Sequence, residues 1–456
     1  MISSPEIVIC GAGIAGISAA YHLAVQHGLR DTLIIDQSDP LSLTSDKSTE
    51  CYRNWWPGPG DAMVALMNRS IDLMEDLARQ SNNVFHLSRR GYLYVTAKAG
   101  IIPGLLKTAA EISSLGAGPL RVYQGGVHDP LYQPSQPHGY AQEPSGADLI
   151  LDPALLQQHF PYLTGQAVAA LHVRRAGWFS AQQLGAYLLD QARKNGVELW
   201  RARIAGVEVH AGRVQAVLLE DGRRIETRNF VNASGPMLKQ VGRMLGVDLP
   251  VFSELHLKAA INERRRIIPR HAPLLIWTDT QRLPWSAEEQ QLLREDPDMA
   301  WLLDEFPAGA HTRPEGGDDS SVVLMLWEYC SKVMEPIFPL PLDPHYPEIV
   351  LRGLITMLPG LQVYLGHAGR PWLDGGYYIK TRENRPLIGP LPVEGAYIIG
   401  ALSGFGLMAA CAAGELLALH LTGGPLPAYA PAFSPERYQD PGYIASLENP
   451  QATGQL

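Results

Sequence analysis

Ile7-Val8-Ile9-Cys10-Gly11-Ala12-Gly13-Ile14-Ala15-Gly16 decides the fold, read together with Thr32-Leu33-Ile34-Ile35-Asp36 downstream. The order is strand, glycine turn, apolar helix to Gly28, strand, acid. Gly11 permits the tight turn, Gly13 lets a pyrophosphate approach the backbone, and Gly16 lets helix and strand pack closely. The helix opening at Ile14 and Ala15 offers unpaired N–H groups and a positive dipole end to phosphates. Asp36, followed by Gln37, stands about twenty residues past the last glycine, where a carboxylate accepts a ribose 2′-hydroxyl. The stretch predicts the ADP end of a dinucleotide site, and the acid disfavours a 2′-phosphate.

The rest of the chain sets bounds. Its 456 residues exceed one small core and point to two or three domains, contiguous or interleaved. The net charge of −9, without a long basic run, argues against a nucleic-acid partner. Cys10, Cys51, Cys330 and Cys411 are far apart and form no CxxC. Neither a disulfide framework nor a metal site is expected, and reduced thiols fit a cytoplasmic protein. The first strand begins close to Met1, which leaves no room for a signal peptide. The most apolar run, Ala396 to Leu421, contains Gly400, Gly404, Gly406, Gly414 and Glu415. It reads as a buried strand, turn and helix, so no integral membrane segment is expected.

In chain order, Ser45, Ser48 and Thr49 belong to a polar segment able to bond phosphate or a flavin edge. Cys51 to Gly58 holds Arg53, Trp55 and Trp56, a cluster suited to a planar or anionic ligand or to closing a core. If exposed, it would instead mark a subunit contact. Asp61 is expected to cap a helix whose stripe is Val64, Met67, Ile71 and Met74. Arg90 to Val95 alternates like a strand, and 116–146 reads as a loop excursion. Leu151 to Phe160 reads as a short helix. Ser180 opens a helix ending at Gly196. Strand Val197 to Trp200 and a meander from Gly206 to Arg228 follow. Phe230 to Pro236 then gives a second strand and glycine turn, carrying Ala233, Ser234 and Gly235. From Val251 to about Arg370, strands at Leu255–Ile261 and Ser320–Tyr329 and a helix at Ile349–Met357 suggest an inserted antiparallel domain. The third strand and glycine turn ends in Ser403-Gly404-Phe405-Gly406 and feeds a helix. Its positive end suits a flavin pyrimidine ring, where negative charge collects on reduction.

Three such turns in this order resemble the FAD-dependent D-amino-acid oxidase-like (DAO) family, which includes glycine oxidase, sarcosine oxidase and dimethylglycine dehydrogenase. The resemblance rests on GAGIAG with Asp36, AGWFSAQQLGAYLL, VNASGP, and GGYYIKTRENRPLIG with YIIGALSGFG. It implies an α/β fold: a Rossmann-like FAD-binding domain interleaved with an antiparallel-sheet substrate domain, as in the glutathione-reductase-like group. The expected division is 1–90, 150–250 and 371–425 for FAD, 91–149 and 251–370 for substrate, and a tail at 426–456 packing on the FAD domain. Val207 falls in the strand beside the adenine, and Gly376 and Gly400 fall near the flavin. Arg370 matches an arginine that glycine oxidase-like members use to hold a substrate carboxylate.

Gly376 stands where sarcosine oxidase-like members attach flavin to cysteine, so FAD is expected to be non-covalent. Leu407 and Met408 replace their carboxylate-binding lysine. No lysine lies between His311 and Trp327, which leaves room for a dehydrogenase beside an oxidase. The expected reaction is oxidation of a C–N bond in a primary or secondary amine or amino acid by hydride transfer to flavin N5. The expected pocket residues are Tyr378, Arg370, His256, Tyr329 and Trp55, and the partners are a small amine or amino acid and oxygen or another acceptor. Two alternatives keep the fold: oxidation of a 2-hydroxy acid or alcohol, and an FAD-binding subunit of a hetero-oligomer. The identity of the amine, the acceptor, the stereochemistry and the oligomeric state are not legible.

Overall fold

The computed structural model describes residues 4–136 and 138–448. The opening stretch forms strand Ile7–Cys10, helix Ile14–Tyr21 and strand Thr32–Asp36. These strands centre a six-stranded sheet ordered Leu387–Pro390, Ala396–Gly400, Asn229–Asn232, Ile7–Cys10, Thr32–Asp36, Glu198–Arg201. Ile7 pairs in parallel with Asn229 on one side and Thr32 on the other. Alternate side chains face opposite layers. Ile7, Ile9 and Ile34 pack into the helical layer, which includes Ala62–Gln80, Ala181–Lys194 and Gly406–Thr422. Val8, Leu33 and Ile35 pack against the meander and helix Leu238–Met244. Both faces are covered, so the strands read as unbroken apolar runs.

Helix Gly406–Thr422 explains the most apolar run of the chain. It is buried on nearly every side. A Cβ at Gly414 would lie 2.4 Å from Ser18 Oγ, so glycine sets the close crossing with Ile14–Tyr21. No helix among the described residues is long and apolar enough to cross a membrane.

A second sheet has nine strands, ordered Trp372–Lys380, Phe252–Asn262, Val322–Leu326, His311–Pro314, Leu274–Trp277, Tyr92–Thr96, Ala169–Val173, Ala147–Ile150, Leu120–Tyr123. It is mixed rather than antiparallel. Leu274–Trp277 runs parallel to Tyr92–Thr96, and Leu120–Tyr123 parallel to Ala147–Ile150. Helix Tyr346–Met357 backs it. Its longest pairing joins Phe252–Asn262 to Trp372–Lys380 and sets His256 opposite Gly376 and Glu254 opposite Tyr378.

Several expectations need correction. Ala169–Val173 and Trp372–Lys380 join the second sheet, although 150–250 and 371–425 were expected on the cofactor side. Alternation shows that a segment is a strand, not which sheet it enters. The loop expected at 116–146 contains strand Leu120–Tyr123. Helix Ala62–Gln80 starts after Asp61, but the Asp61 side chain makes no cap bond. Ser180 does cap its helix, accepting from Gln183 N. Trp55 and Trp56 are buried, so they form no exposed subunit contact. In the tail, Ile388 N donates to Phe433 O and Arg437 pairs with Glu383, which fastens residues 426–448 to the edge of the six-stranded sheet. Residues 449–456 of that expected tail lie outside the described residues.

Candidate active site

Three cavities follow the carboxyl ends of the central parallel strands, the usual crevice for a cofactor in an open α/β sheet. The first, about 110 Å³, is lined by Gly11, Asp36, Gln37 and Ser234 with Ala202 to Ile204. The second, about 100 Å³, is lined by Gly13, Ile14, Ala15, Ser45, Ser48, Ala233, Gly235, Gly400, Ser403 and Gly406. The third, about 240 Å³, opens against the second sheet and is lined by Thr49, Arg53, His256, Tyr329 and Phe405. Tyr378 and Gly404 border both the second and the third.

The first two cavities are shaped by backbone. Gly11 has φ +116°, and a Cβ there would sit 2.4 Å from Ala233 O. A Cβ at Gly16 would sit 2.0 Å from Gly11 O. Asp36 accepts from Ala12 N at 2.7 Å and from Ser38 N at 2.8 Å, which fixes its carboxylate at the strand end. Each oxygen keeps a second lone pair for a ribose hydroxyl. Ile14 N donates to Ser45 Oγ, joining the polar segment to the helix start. The helices beginning at Ile14 and Gly406 receive no bond from an N-cap side chain, and their first residues, Ile14, Ala15, Gly406 and Leu407, line the second cavity. Ala401 and Ser403 hold φ of 52° and 48°, strained values in the third glycine turn.

These features fit FAD. Asp36 and Gln37 would hold the adenosine, Gly11 to Gly16 and Ser45 the pyrophosphate, and Tyr378, Gly404 and Gly406 the flavin. When bound, FAD supplies a hydride acceptor. Val207 lies in the meander, half-buried against its core, and Ala202 to Ile204 rather than Val207 wall the first cavity. A Cβ at Gly376 would meet Lys47 at 3.0 Å and Thr44 at 3.3 Å, so this glycine lets the polar segment cross the strand.

The third cavity is shaped by side chains. The His256 ring stacks on Tyr378 at 3.8 Å with 13° between planes. Its Nδ1 lies 3.0 Å from Glu328 Oε1 and its Nε2 lies 3.2 Å from Glu254 Oε2. Burial opposes a charge on this ring, but hydrogen bonds to Glu254 and Glu328 outweigh it and raise its pKa. The bond from His256, with help from Lys380 at 2.7 Å, lowers Glu254 to about 2. His311, on the same cavity, behaves oppositely. Burial lowers its pKa, and its Nδ1 donates to Gly309 O at 2.7 Å. One wall therefore holds a histidine whose charged form its carboxylate neighbours favour and another whose charged form burial disfavours.

Tyr378, His256 and Tyr329 come together on this cavity. Arg370 does not: it is exposed, on a turn before Trp372–Lys380, and lies off the cavity wall. A motif position transfers a residue, not its reach across a rebuilt loop. Trp55 is buried behind the wall, and its neighbour Trp56 faces the cavity. Arg53, expected at the cofactor, lines the third cavity, with its guanidinium 4.4 Å over the Trp56 ring. Glu328, His311 and Tyr92 were missed. His311 comes from strand His311–Pro314 and Glu328 from just beyond the neighbouring strand Val322–Leu326, and no local spacing links them to His256. Lys258, on strand Phe252–Asn262, lies outside the lysine-free stretch between His311 and Trp327. It donates to Asp46 O and Ser48 O at 3.2 Å, and burial lowers its pKa. No metal-ligating cluster occurs among the described residues.

The sequence is similar to mitochondrial dimethylglycine dehydrogenase of Rattus norvegicus, 26% identical over 253 residues. The match covers 55% of this chain and 26% of that protein, so the chain spans about a quarter of its length. Among solved structures, L-proline dehydrogenase from P. horikoshii superposes with a TM-score of 0.71 at 18% identity, covering 96% of this chain and 98% of that one. Glycine oxidase from Geobacillus kaustophilus gives 0.71 at 15% identity, with 94% and 97% covered. These two likenesses show the fold. The profile of the FAD dependent oxidoreductase (DAO) family matches residues 6–419, and the chain belongs to that family.

Proposed function

We propose that the protein is an FAD-dependent dehydrogenase or oxidase that removes a hydride from the carbon next to the nitrogen of a small amine or amino acid. The observation that carries this reading is the third cavity. It meets the cofactor groove at Tyr378, is walled by Trp56, Tyr92, Trp327, Tyr329 and Tyr346, and presents the Glu328 carboxylate to a ligand. Aromatic faces and a carboxylate suit an alkylated ammonium group. The names of the relatives, which act on dimethylglycine, proline and glycine, support the same substrate class. Arg53 and Lys332, rather than Arg370, are the cations on the wall for a substrate carboxylate.

FAD binds non-covalently in this reading, because Gly376 supplies no nucleophile at the expected attachment point. Yellow colour that stays with acid-precipitated protein overturns that. The lysine-free stretch from His311 to Trp327 supports an acceptor other than oxygen. Rapid flavin reoxidation in air-saturated stopped flow overturns that part. The unpaired cysteines suit a reducing compartment.

A second reading has one observation in its favour. Hydroxy acid oxidation needs a base, and neutral His311 lines the cavity. Anaerobic mixing with a panel of amines, amino acids and 2-hydroxy acids separates the two. Bleaching of the flavin by amines alone is expected, and bleaching by hydroxy acids alone overturns the amine reading.

A further inference from the structure

A line of four side chains runs from the third cavity to solvent. Glu328 stands on the cavity wall with 28% of its side chain exposed. It meets His256 at 3.0 Å, His256 meets Glu254 at 3.2 Å, and Glu254 meets Lys380 at 2.7 Å. The inner histidine is buried, while Glu254 and Lys380 keep 15% and 13% of their side chains in contact with water. Stacking on Tyr378 fixes the imidazole plane so that each ring nitrogen addresses one carboxylate. Glu254 and His256 stand two residues apart on Phe252–Asn262, Lys380 comes from the paired strand, where it is opposite Phe252, and Glu328 lies just beyond the Val322–Leu326 strand.

We propose that Glu328 accepts the proton of a substrate that arrives as an ammonium ion, and that His256 and Glu254 carry this proton to solvent. The proposal rests on the amine reading above and deepens it. An alkylamine is a cation near neutral pH, and its nitrogen has no lone pair to stabilise the carbon that gives up a hydride. The proton must leave first. In that step the substrate N–H bond breaks, its electron pair stays on nitrogen, and an O–H bond forms on Glu328. Nothing is oxidised. His256, neutral with its proton on Nε2, then takes the Glu328 proton at Nδ1, and the cation so formed releases its Nε2 proton to Glu254; the ring regains its Nε2–H form by exchange with water after the product leaves. Glu254, held strongly acidic, passes its proton to water. Glu328 is a carboxylate again.

The groups facing this line from other elements fit the role. His311, on the neighbouring strand, is kept neutral and its Nδ1 is engaged by Gly309 O. Lys258, two residues on from His256 in the same strand, donates to the carbonyls of Asp46 and Ser48. Tyr346 OH donates to Leu257 O. Arg53, Lys332 and Asp343 lie on the remaining walls of the cavity. Among the acids on that wall, Glu328 is the one joined to a buried histidine.

The test uses the FAD-loaded protein and an amine that bleaches the wild-type flavin. Anaerobic reduction is followed from about pH 6 to pH 10 for wild type, Glu328→Gln, Glu328→Asp and His256→Gln. Glu328→Gln is expected to slow reduction about 100-fold near pH 7, in the range of a lost general base. The defect should close above the amine's own pKa, where the substrate arrives neutral. Glu328→Asp should recover part of the rate, and His256→Gln should show a smaller defect with the same pH rescue. A wild-type pH profile in Glu328→Gln, or a defect equal at both ends of the range, overturns the proposal. A second readout needs no turnover. Tetramethylammonium, which has no proton to give, is titrated by its perturbation of the flavin spectrum. Its affinity should fall about tenfold in Glu328→Gln, roughly the worth of one partly desolvated cation contact. Unchanged affinity overturns the proposal. A wild-type flavin bleached by no amine defeats the amine reading and this inference together. An active wild type matched by Glu328→Gln defeats this inference alone.

Discussion

The two ends of the groove are built from different material. At the adenosine end, Gly11, Gly13 and Gly16 bring backbone to the ligand, and Asp36 is pinned by two backbone N–H groups. At the other end, Arg53, His256, His311, Glu328 and Tyr378 present side chains from five separate segments. The first end recognises a part of the cofactor that does not change with the reaction, and close backbone packing suits it. The second must position a particular substrate, and side chains on a sheet can be exchanged there without disturbing the strands. Damage to the first should cost cofactor and fold, and damage to the second should cost rate.

The largest effect expected is from Gly16→Val. A Cβ there already overlaps Gly11 O, at 2.0 Å. Overpacking at a rigid backbone contact should cost about 3 kcal/mol or more and yield protein without bound flavin. The ratio of flavin to protein absorbance measures it. A yellow Gly16→Val protein of normal stability breaks the comparison. Asp36→Ala should weaken FAD binding about 10- to 100-fold, the worth of hydrogen bonds to a charged group, and leave the reduction rate of the loaded protein unchanged. Equilibrium dialysis and stopped flow together check that separation. At the other end, Tyr378→Ala removes the ring under His256 and should slow flavin reduction about tenfold, with bound flavin retained.

How much was legible follows the same division. The glycines and Asp36 sit within one short stretch, where spacing alone encodes strand, turn and helix. The helices at Ala62–Gln80 and Ala181–Lys194 were legible from their apolar stripes. The His256–Glu328 pair was not, because strand pairing between Phe252–Asn262 and Val322–Leu326 joins positions more than sixty residues apart. Arg370 shows the converse. It was singled out by resemblance, and the turn that carries it leaves the side chain in solvent.

A smaller effect concerns stability against pH. His256 has a raised native pKa, so its contribution is full below its unfolded value, about 6.5, and fades as pH rises through the native one. Glu254 has a lowered pKa, so its contribution is full above about 4.3 and fades as pH falls toward about 2. The stability difference between wild type and His256→Gln should be greatest between these limits and shrink on both sides. Chemical denaturation across pH reads it, and a difference independent of pH contradicts the ion-pair geometry. The smallest effect expected is from Arg370→Ala, less than about 0.5 kcal/mol in stability and less than about twofold in kcat/KM, as for an exposed residue off the site. A large rise in KM there would return Arg370 to the substrate.

The most direct measurement is a crystal structure of the FAD-loaded protein with tetramethylammonium. The account predicts the flavin ring between the Ser45 to Thr49 segment and Tyr378, with the cation in the third cavity beside the Glu328 carboxylate. A flavin ring away from Tyr378 and Gly404, or a cation bound elsewhere while that cavity holds none, would contradict it.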